Sequence, residues 1–558
     1  MVSLVSIVTV SFSTPVTAQR IVTIPPGSYN KQAQPPPLSR STSQPAFTID
    51  RKSASPEGDE IDFVIEGVTL DGVTALSPEE IVSLTAPFEQ RRVTLRELSR
   101  LVDKISALYV SKGFALTVAL LPVQTTENGR VRILVVEGTI DQIDVEFKDR
   151  LSIARATRIA STVRKRLRAV AQAGPVRTYE LERSILGIDD LNGITPSIIV
   201  RPSKTVEGAA DLVVVIDTKG FELNLSGDDR LRKEFGRNQM GLSIAANGLV
   251  FVGDRLDISH RISRVDGAYD YRSLSYSAPV GSSLIVASIL ASQSKTEAVS
   301  GFLSALEYRG LERTGRFSLE VPLYRSRAKS LALNFDLAAL DSSSDLFGAT
   351  LIKDRVRTFN AGMTYDWAGR LGASSLLELS YVKGLEGLEA TDADNPLRSR
   401  SYGSAEAAYL TARLYRDQPI GSFNLKLDLS GQVVTRGQSL WASAECSFGG
   451  SVYGRGFDYG LIGGDSCLLA SLELSKRLQG SRFNIAPYVF VDGGRIGQNG
   501  PLEFGEVREA IATSAGLGLR MITRGGLSLD VQYARPQENP APAMPRDGRW
   551  FLSLGYTR

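Results

Sequence analysis

From Phe221 to the end of the chain, apolar and polar residues alternate, and no helical period interrupts them. Phe221-Glu-Leu-Asn-Leu225, Leu331-Ala-Leu-Asn-Phe-Asp-Leu337, Phe423-Asn-Leu-Lys-Leu-Asp-Leu429 and Leu527-Ser-Leu-Asp-Val-Gln-Tyr533 each place apolar side chains on one strand face and polar ones on the other. A soluble sandwich alternates as well. Three features favour a membrane barrel: the segments run on without a helix, short turns alternate with longer polar loops, and an export-like segment leads the chain. Ser273 to Ser294 is uncharged, yet Pro279-Val280-Gly281 breaks it into two strands and a turn. Leu552, Leu554 and Tyr556 form a last alternating strand at the chain end. About sixteen strands are expected, an even number that returns the end to its starting side. Closure is required, because no unpaired backbone edge can face lipid.

Residues 2–19 carry no charge, and Val16-Thr17-Ala18 offers a small-residue cleavage site after Ala18. Residues 1–18 therefore read as a secretory signal, although no basic residue precedes the apolar run. Residues 19–60, with Pro35-Pro36-Pro37 and many Ser, Gln and Thr, read as a linker or mobile segment.

The charge balance, 64 Lys and Arg against 61 Asp and Glu, does not advertise nucleic acid as a partner. A single histidine, His260, removes most of the hydrolytic and metal repertoire. It lies in a strand-like alternation, Leu256 to Ile262, and its role is expected to be structural or incidental. No Gly-x-Ser-x-Gly elbow is present, which argues against a barrel-borne hydrolase. No catalytic residue, metal site or cofactor is expected.

Between linker and barrel the pattern is α+β. Residues 61–67 alternate as a strand. Ser77-Pro78-Glu79-Glu80 opens a helix with a cap, a first-turn proline and a capping box, and Thr94-Leu95-Arg96-Glu97 repeats the device. Leu98, Leu101, Ile105 and Leu108 give the second helix one buried stripe, and Gly113 stops it. Strands follow at Phe114 to Leu121 and Val131 to Glu137, expected to join through a tight Asn128-Gly129 turn. The β-α-α-β-β order recurs with strand 143–147, helices near 153–169 and 178–191, and strands 197–201 and 211–217. Arg164, Lys165, Arg166 and Arg168 form a basic run on the first of these helices, ordinarily a solvated face.

These tandem units resemble polypeptide-transport-associated (POTRA) domains. Leu121-Pro122-Val123-Gln124, Val136-Glu137-Gly138-Thr139-Ile140, and Leu181-Glu182-Arg183 through Leu191-Asn192-Gly193 are similar to those of two-partner secretion transporters of the haemolysin secretion/activation type. The resemblance implies two periplasmic domains, 61–140 and 141–219, that receive an unfolded passenger protein, followed by a transmembrane barrel over 220–558. Strand addition at a sheet edge would suit such a passenger, since backbone pairing tolerates many sequences.

Two barrel motifs extend the likeness. Gly449-Gly450-Ser451-Val452-Tyr453-Gly454-Arg455-Gly456-Phe457, followed by Gly464-Asp465, resembles the signature loop of the superfamily that these transporters share with outer-membrane barrel-assembly factors. There the arginine–glycine–aromatic triplet caps a loop folded into the lumen. Gly454 stands where the family often has a branched apolar residue. Phe490, Asp492 and Gly494 resemble the partner motif on the barrel wall, and a buried guanidinium needs such a carboxylate. Cys446 and Cys467 flank the loop about a midpoint at Gly456 and Phe457; equal hairpin arms would bring them together as a disulfide in an exported chain.

The implied function is an outer-membrane translocator of a Gram-negative bacterium that exports a large haemolysin- or adhesin-like partner without nucleotide hydrolysis. The implied partners are the passenger, outer-membrane lipid and, through the C-terminal strand, the barrel-assembly machinery. A barrel-assembly factor is the alternative, though those relatives usually carry more POTRA units.

Overall fold

The computed structural model describes residues 47–49, 62–124, 129–206, 209–503, 506–538 and 547–558. The expected signal, 1–18, lies outside the described residues. So does most of the 19–60 segment, but β1 (Phe47–Ile49) is a strand, paired in parallel with Ile198–Val200. That part of the expected linker is thus an added sheet edge; Phe-Thr-Ile is a β-prone triplet in an otherwise polar stretch.

The first domain contains β2 (Asp62–Ile65), β3 (Gly67–Asp71), α1 (Pro78–Thr85), β4 (Arg91–Thr94), α2 (Leu95–Ser111), β5 (Val118–Leu120) and β6 (Arg130–Val136). Both helices begin with capping boxes, Ser77 with Glu80 and Thr94 with Glu97. α2 buries Leu98, Leu101, Ile105 and Tyr109. Tyr109 takes the last place of the expected stripe from Leu108, as a four-residue step keeps the 3.6-residue period centred on the core.

One expectation fails here. The strand expected from Phe114 begins only at Val118, because Gly113, at φ +89°, caps α2 and the Phe114 N–H returns 2.8 Å to the Tyr109 carbonyl. The expected turn at Asn128-Gly129 falls in part outside the described residues, which do not include Asn128; the pairing of β5 with β6 ends at Leu120↔Leu134. Leu120 and Arg130 are separated by a longer connection, part of it outside the described residues. Gly129 accepts the Glu66 N–H at 2.7 Å as β6 enters parallel pairing with β3.

The second domain has the plain order β7 (Thr139–Phe147), α3 (Ile153–Ala171), α4 (Thr178–Asp189), β8 (Ile194–Pro202) and β9 (Ala209–Thr218). Its sheet order is β1-β8-β9-β7, and α3 and α4 bury Val163, Leu167, Ile185 and Ile188 against it.

The barrel wall opens with β10 (Phe221–Asp228), β11 (Gln239–Asn247), β12 (Arg255–Ser263) and β13 (Tyr269–Pro279). β14 (Val286–Glu297), β15 (Arg309–Arg325), β16 (Lys329–Leu346) and β17 (Ala349–Ala368) continue it. Then come β18 (Ser374–Gly384), β19 (Ala408–Ile420) and β20 (Phe423–Val434). β21 (Cys446–Phe448) and β22 (Ile462–Gly464) form a hairpin off the wall. β23 (Ser466–Lys476), extended by β24 (Leu478–Gln479), precedes β25 (Phe483–Gly497), β26 (Glu509–Thr523), β27 (Leu527–Glu538) and β28 (Arg549–Thr557). With β23 and β24 taken as one strand, sixteen antiparallel strands close where β28 meets β10, from Asn224↔Thr557 to Asp228↔Ser553.

The alternation has the anticipated meaning. On β20, Phe423 faces outward while Asn424 and Asp428 are buried inside; on β27, Leu527 faces outward and Gln532 inward. His260 lies on β12, half-exposed, with Nε2 3.5 Å from Asp270.

The two N-terminal domains mark one mouth of the barrel. Arg325, at the β15–β16 turn, is 2% exposed and holds Asp190 bidentately at 3.1 and 3.0 Å. Tyr179 stacks on Tyr324, and Glu182 accepts the Arg327 N–H at 2.8 Å. Asn192 donates to the Gly253 carbonyl, and Arg166 of the basic run reaches the Ser283 carbonyl. The opposite mouth carries L1 (229–238), L2 (264–268), L3 (298–308), L4 (347–348), L5 (385–407), L6 (435–465) and L7 (498–508, described at 498–503 and 506–508).

Candidate functional site

Period two puts Phe490, Asp492 and Gly494 on the inner face of β25, while Val491 between them is exposed outside. L6 turns back into the lumen and delivers Arg455 onto that face. The Arg455 N–H lies 2.8 Å from Asp492 Oδ2, Nη2 lies 2.9 Å from Oδ1, and Nε lies 3.1 Å from Oδ2. Nη1 reaches Glu473 Oε2 at 2.8 Å, Nη2 reaches Ser471 Oγ at 3.0 Å, and the guanidinium sits 3.5 Å over the Phe490 ring. Asp492 is fully buried and also accepts from Ser471 and Ser514. The arginine fork therefore meets carboxylates at both ends, with an aromatic face beneath.

The glycines make this approach possible. Gly454 has φ +78°, and a Cβ there would lie 2.6 Å from the Phe448 ring. A Cβ on Gly494 would meet the other side of the same ring at 2.4 Å. Phe448 is thus sandwiched between loop and wall, which accounts for glycine where a branched residue is commoner. Gly456 lies against the Arg535–Pro536 backbone, and Phe457 packs on Phe448 at 5.6 Å.

Several members of the site carry no sequence signal of their own. Glu473 also binds Arg520 at 2.5 and 2.9 Å, and Arg520 continues to Asp530. Tyr453 bonds Asp428, which Arg413 holds bidentately. A Cβ on Gly516 or Gly518 would strike the rings of Phe490 and Tyr488. Inward parity is readable for each of these residues, but their common height needs the strand register.

Gly464 and Asp465 do not join Arg455. They sit at the base of L6, where Asp465 accepts Arg400 Nη1 at 2.7 Å, the Leu440 N–H at 2.6 Å and the Asn499 N–H at 2.7 Å. Burial opposes the charge on Arg400, yet Glu445, Asp465 and Glu506 outweigh it and raise its pKa. Cys446 and Cys467 are joined at this base, with Cα atoms 6.4 Å apart. At the far end of L6, Tyr459 is buried among Leu231 and Phe235 of L1 and Leu303 and Tyr308 of L3. L6 therefore crosses the barrel from the L5–L7 side to the L1–L3 side.

Among the described residues, no cluster of His, Cys, Asp and Glu is placed to hold a metal ion.

In the first POTRA domain, Glu137 ties the end of β6 to the loop before α1. It accepts the Thr74 and Ala75 N–H groups at 2.7 and 2.8 Å and the Tyr109 hydroxyl at 2.6 Å. Partial burial pushes its pKa up, but the Thr74 hydroxyl, the Tyr109 hydroxyl and the two N–H groups, all donating to it, outweigh that and leave it below the ordinary 4.5.

Residues 209–521 match the model of the haemolysin secretion/activation protein family ShlB/FhaC/HecB, and residues 63–138 match the ShlB-type POTRA domain. The chain is 22% identical over 488 residues to the heme/hemopexin transporter protein HuxB of Haemophilus influenzae strain 86-028NP, covering 85% of this chain and 84% of that one. It is 24% identical over 408 residues to the outer membrane transporter CdiB of Dickeya dadantii, covering 71% and 69%. Among solved structures, CdiB from Escherichia coli superposes with a TM-score of 0.71 at 19% identity, covering 93% of this chain and 94% of that one. BamA from Haemophilus ducreyi lacking POTRA domains 1–3 superposes with 0.52 at 15% identity, covering 89% and 100%. These two superpositions concern the fold alone.

Proposed function

We propose a mechanism from one premise: the chain belongs to the haemolysin secretion/activation protein family ShlB/FhaC/HecB. It is an outer-membrane β-barrel translocator of a partner protein in a two-partner secretion system, and its POTRA domains lie in the periplasm. The finer steps are our proposal. The partner is a large haemolysin- or adhesin-like polypeptide, met in an unfolded state. β5 is an edge strand with exposed Val118 and Leu120 and with Val123 just beyond it, a surface suited to pairing with an extended chain.

The observation that best supports this mechanism is L6 inside the lumen, held by Arg455, Asp492 and Glu473. A polypeptide cannot pass that section while the tip is seated, so export requires Arg455 to leave its carboxylates. The docked POTRA joint, built on Asp190 and Arg325, would aim the captured chain at the periplasmic mouth. Folding outside the cell would then disfavour return, so neither nucleotide hydrolysis nor another enzymatic step is called for. Lipid covers the outer face, and the C-terminal strand would be the segment read by the barrel-assembly machinery.

The test is reconstitution. Proteoliposomes holding the full chain should take up a large haemolysin- or adhesin-like polypeptide of the same organism, without nucleotide, and Arg455→Ala should impair uptake. Uptake that needs nucleotide, or that proceeds equally through the variant, would overturn the mechanism.

A further inference from the structure

We propose that Arg400 is a positioning residue for export: it clamps the base of L6 to L5 and L7, so the passenger leaves past the other end of L6, along L1 and L3. The inference rests on the translocator reading above.

Arg400 belongs to L5 and is 2% exposed. Its Nη1 binds Asp465 at 2.7 Å and the Leu440 carbonyl at 3.1 Å, both in L6. Its Nε binds Glu506 at 3.1 Å and its Nη2 binds Gln498 at 3.0 Å, both in L7. Glu445 of L6 lies 3.3 Å from Nη1. One guanidinium, with its fixed fork of donors, thus joins three loops that are far apart in sequence.

Hydrogen bonds to main-chain carbonyls, one of them from a main-chain N–H, reinforce the same end. The Ser404 N–H donates to the Ser439 carbonyl at 3.0 Å, Asn499 Nδ2 to the Gln438 carbonyl at 3.1 Å, and Ser439 Oγ to the Asn499 carbonyl at 3.0 Å. Gly403 lies flat against the buried Trp441 ring, where a Cβ would come within 2.3 Å. The Cys446–Cys467 bridge adds a covalent tie within two residues of Glu445 and Asp465.

The tip is attached differently. Tyr459 packs among apolar side chains, and Asp458 meets Arg549 at 3.0 Å and Arg237 at 3.9 Å. These contacts run through side chains, which can part without unravelling a loop. A loop sewn down at one end and held by side chains at the other pivots about the sewn end. Space for a passenger therefore opens between the L6 tip and the L1–L3 side.

Paired cysteines test the route, because the native cysteines are bonded to each other and leave a bismaleimide only the introduced thiols. Arg237→Cys with Asp458→Cys clamps the tip to L1. Ser401→Cys with Glu503→Cys clamps L5 to L7, where the Ser401 N–H meets Glu503 at 2.6 Å. Cross-linking the first pair should cut both export and open-pore conductance by about tenfold or more, whereas cross-linking the second should leave both within about twofold. Any other pattern of conductance in the two clamps overturns the proposal. Conductance needs no passenger, so expected conductances with no export at all would count against the translocator reading and leave the pivot standing.

Arg400 itself is tested with Arg400→Met in an Asp458→Cys background. An impermeant maleimide should label position 458 about tenfold faster from outside once the base is released. Arg400→Lys, lacking the fork, should not restore slow labelling. Slow labelling in a variant with only a lowered melting point would reduce Arg400 to a structural residue and refute the positioning role.

Discussion

Replacing Asp492 with alanine removes the carboxylate that accepts from Arg455 N, Nε and Nη2 and from two serine hydroxyls. Arg455 remains 5% exposed. Breaking one partner of a buried pair costs about 3–5 kcal/mol, because the surviving charge is left uncompensated. Glu473 still faces Nη1 at 2.8 Å, so the lower end, about 3 kcal/mol, is expected. The barrel wall keeps its backbone ladder, and the loss falls on the seated loop. A shift of that size moves a seated-to-unseated equilibrium by roughly a hundredfold. Single-channel recording reads it directly as open probability. The double-mutant cycle Arg455→Ala with Asp492→Ala isolates the pair and should return a coupling above about 1 kcal/mol. Unchanged open probability in Asp492→Ala, or a coupling indistinguishable from zero, would refute the claim that this pair holds L6 inward.

Three further outcomes follow from the same structure. Unreduced protein should show no thiol to an alkylating reagent, and Cys446→Ser with Cys467→Ser should lose roughly 3 kcal/mol, the chain-entropy value for a loop with the observed separation of 21; two free thiols would exclude the bridge. Asp190→Ala strips the buried Arg325 of its partner and should loosen the POTRA joint by about 3 kcal/mol, read as faster proteolysis between the domains with the barrel intact. Glu137 titrates lower in the folded than in the unfolded chain, so its stabilisation is present above the ordinary 4.5 and fades as pH falls through the depressed value. Glu137→Gln should cost the first POTRA domain about 1 kcal/mol near neutrality and flatten that acid limb in hydrogen exchange; an unchanged limb would assign the titration to another group.

Local periodicity makes much of this molecule legible. Alternation separates inner from outer residues on each strand, and the two-residue spacing of Phe490, Asp492 and Gly494 puts them on one face by parity alone. Capping boxes mark α1 and α2 because caps are chemistry within four residues. What stays hidden depends on register between distant strands. Glu473, Ser471, Ser514 and Arg520 share a level with Arg455 only through the β23–β25–β26 pairing. Arg400 is one of two arginines in a polar loop, with nothing to set it apart from Arg398 until three loops converge on it. Asp465 is legible as part of a motif, yet its neighbours in sequence give no sign that it serves the base of L6 rather than the tip. At Gly129 the carbonyl accepts the Glu66 N–H as β6 pairs in parallel with β3, a tertiary contact that no local rule contains.

The claim that this barrel exports a partner is met most directly in the native host. Deleting the gene should remove one large polypeptide from the outside of the cell and leave its fragments in the periplasm, with the other outer-membrane barrels at normal levels. The wild-type chain should restore secretion, and a variant lacking residues 60–219 should still insert but fail to restore it. An unchanged extracellular protein profile, together with a fall in other barrels, would contradict export and point to the assembly of outer-membrane proteins instead.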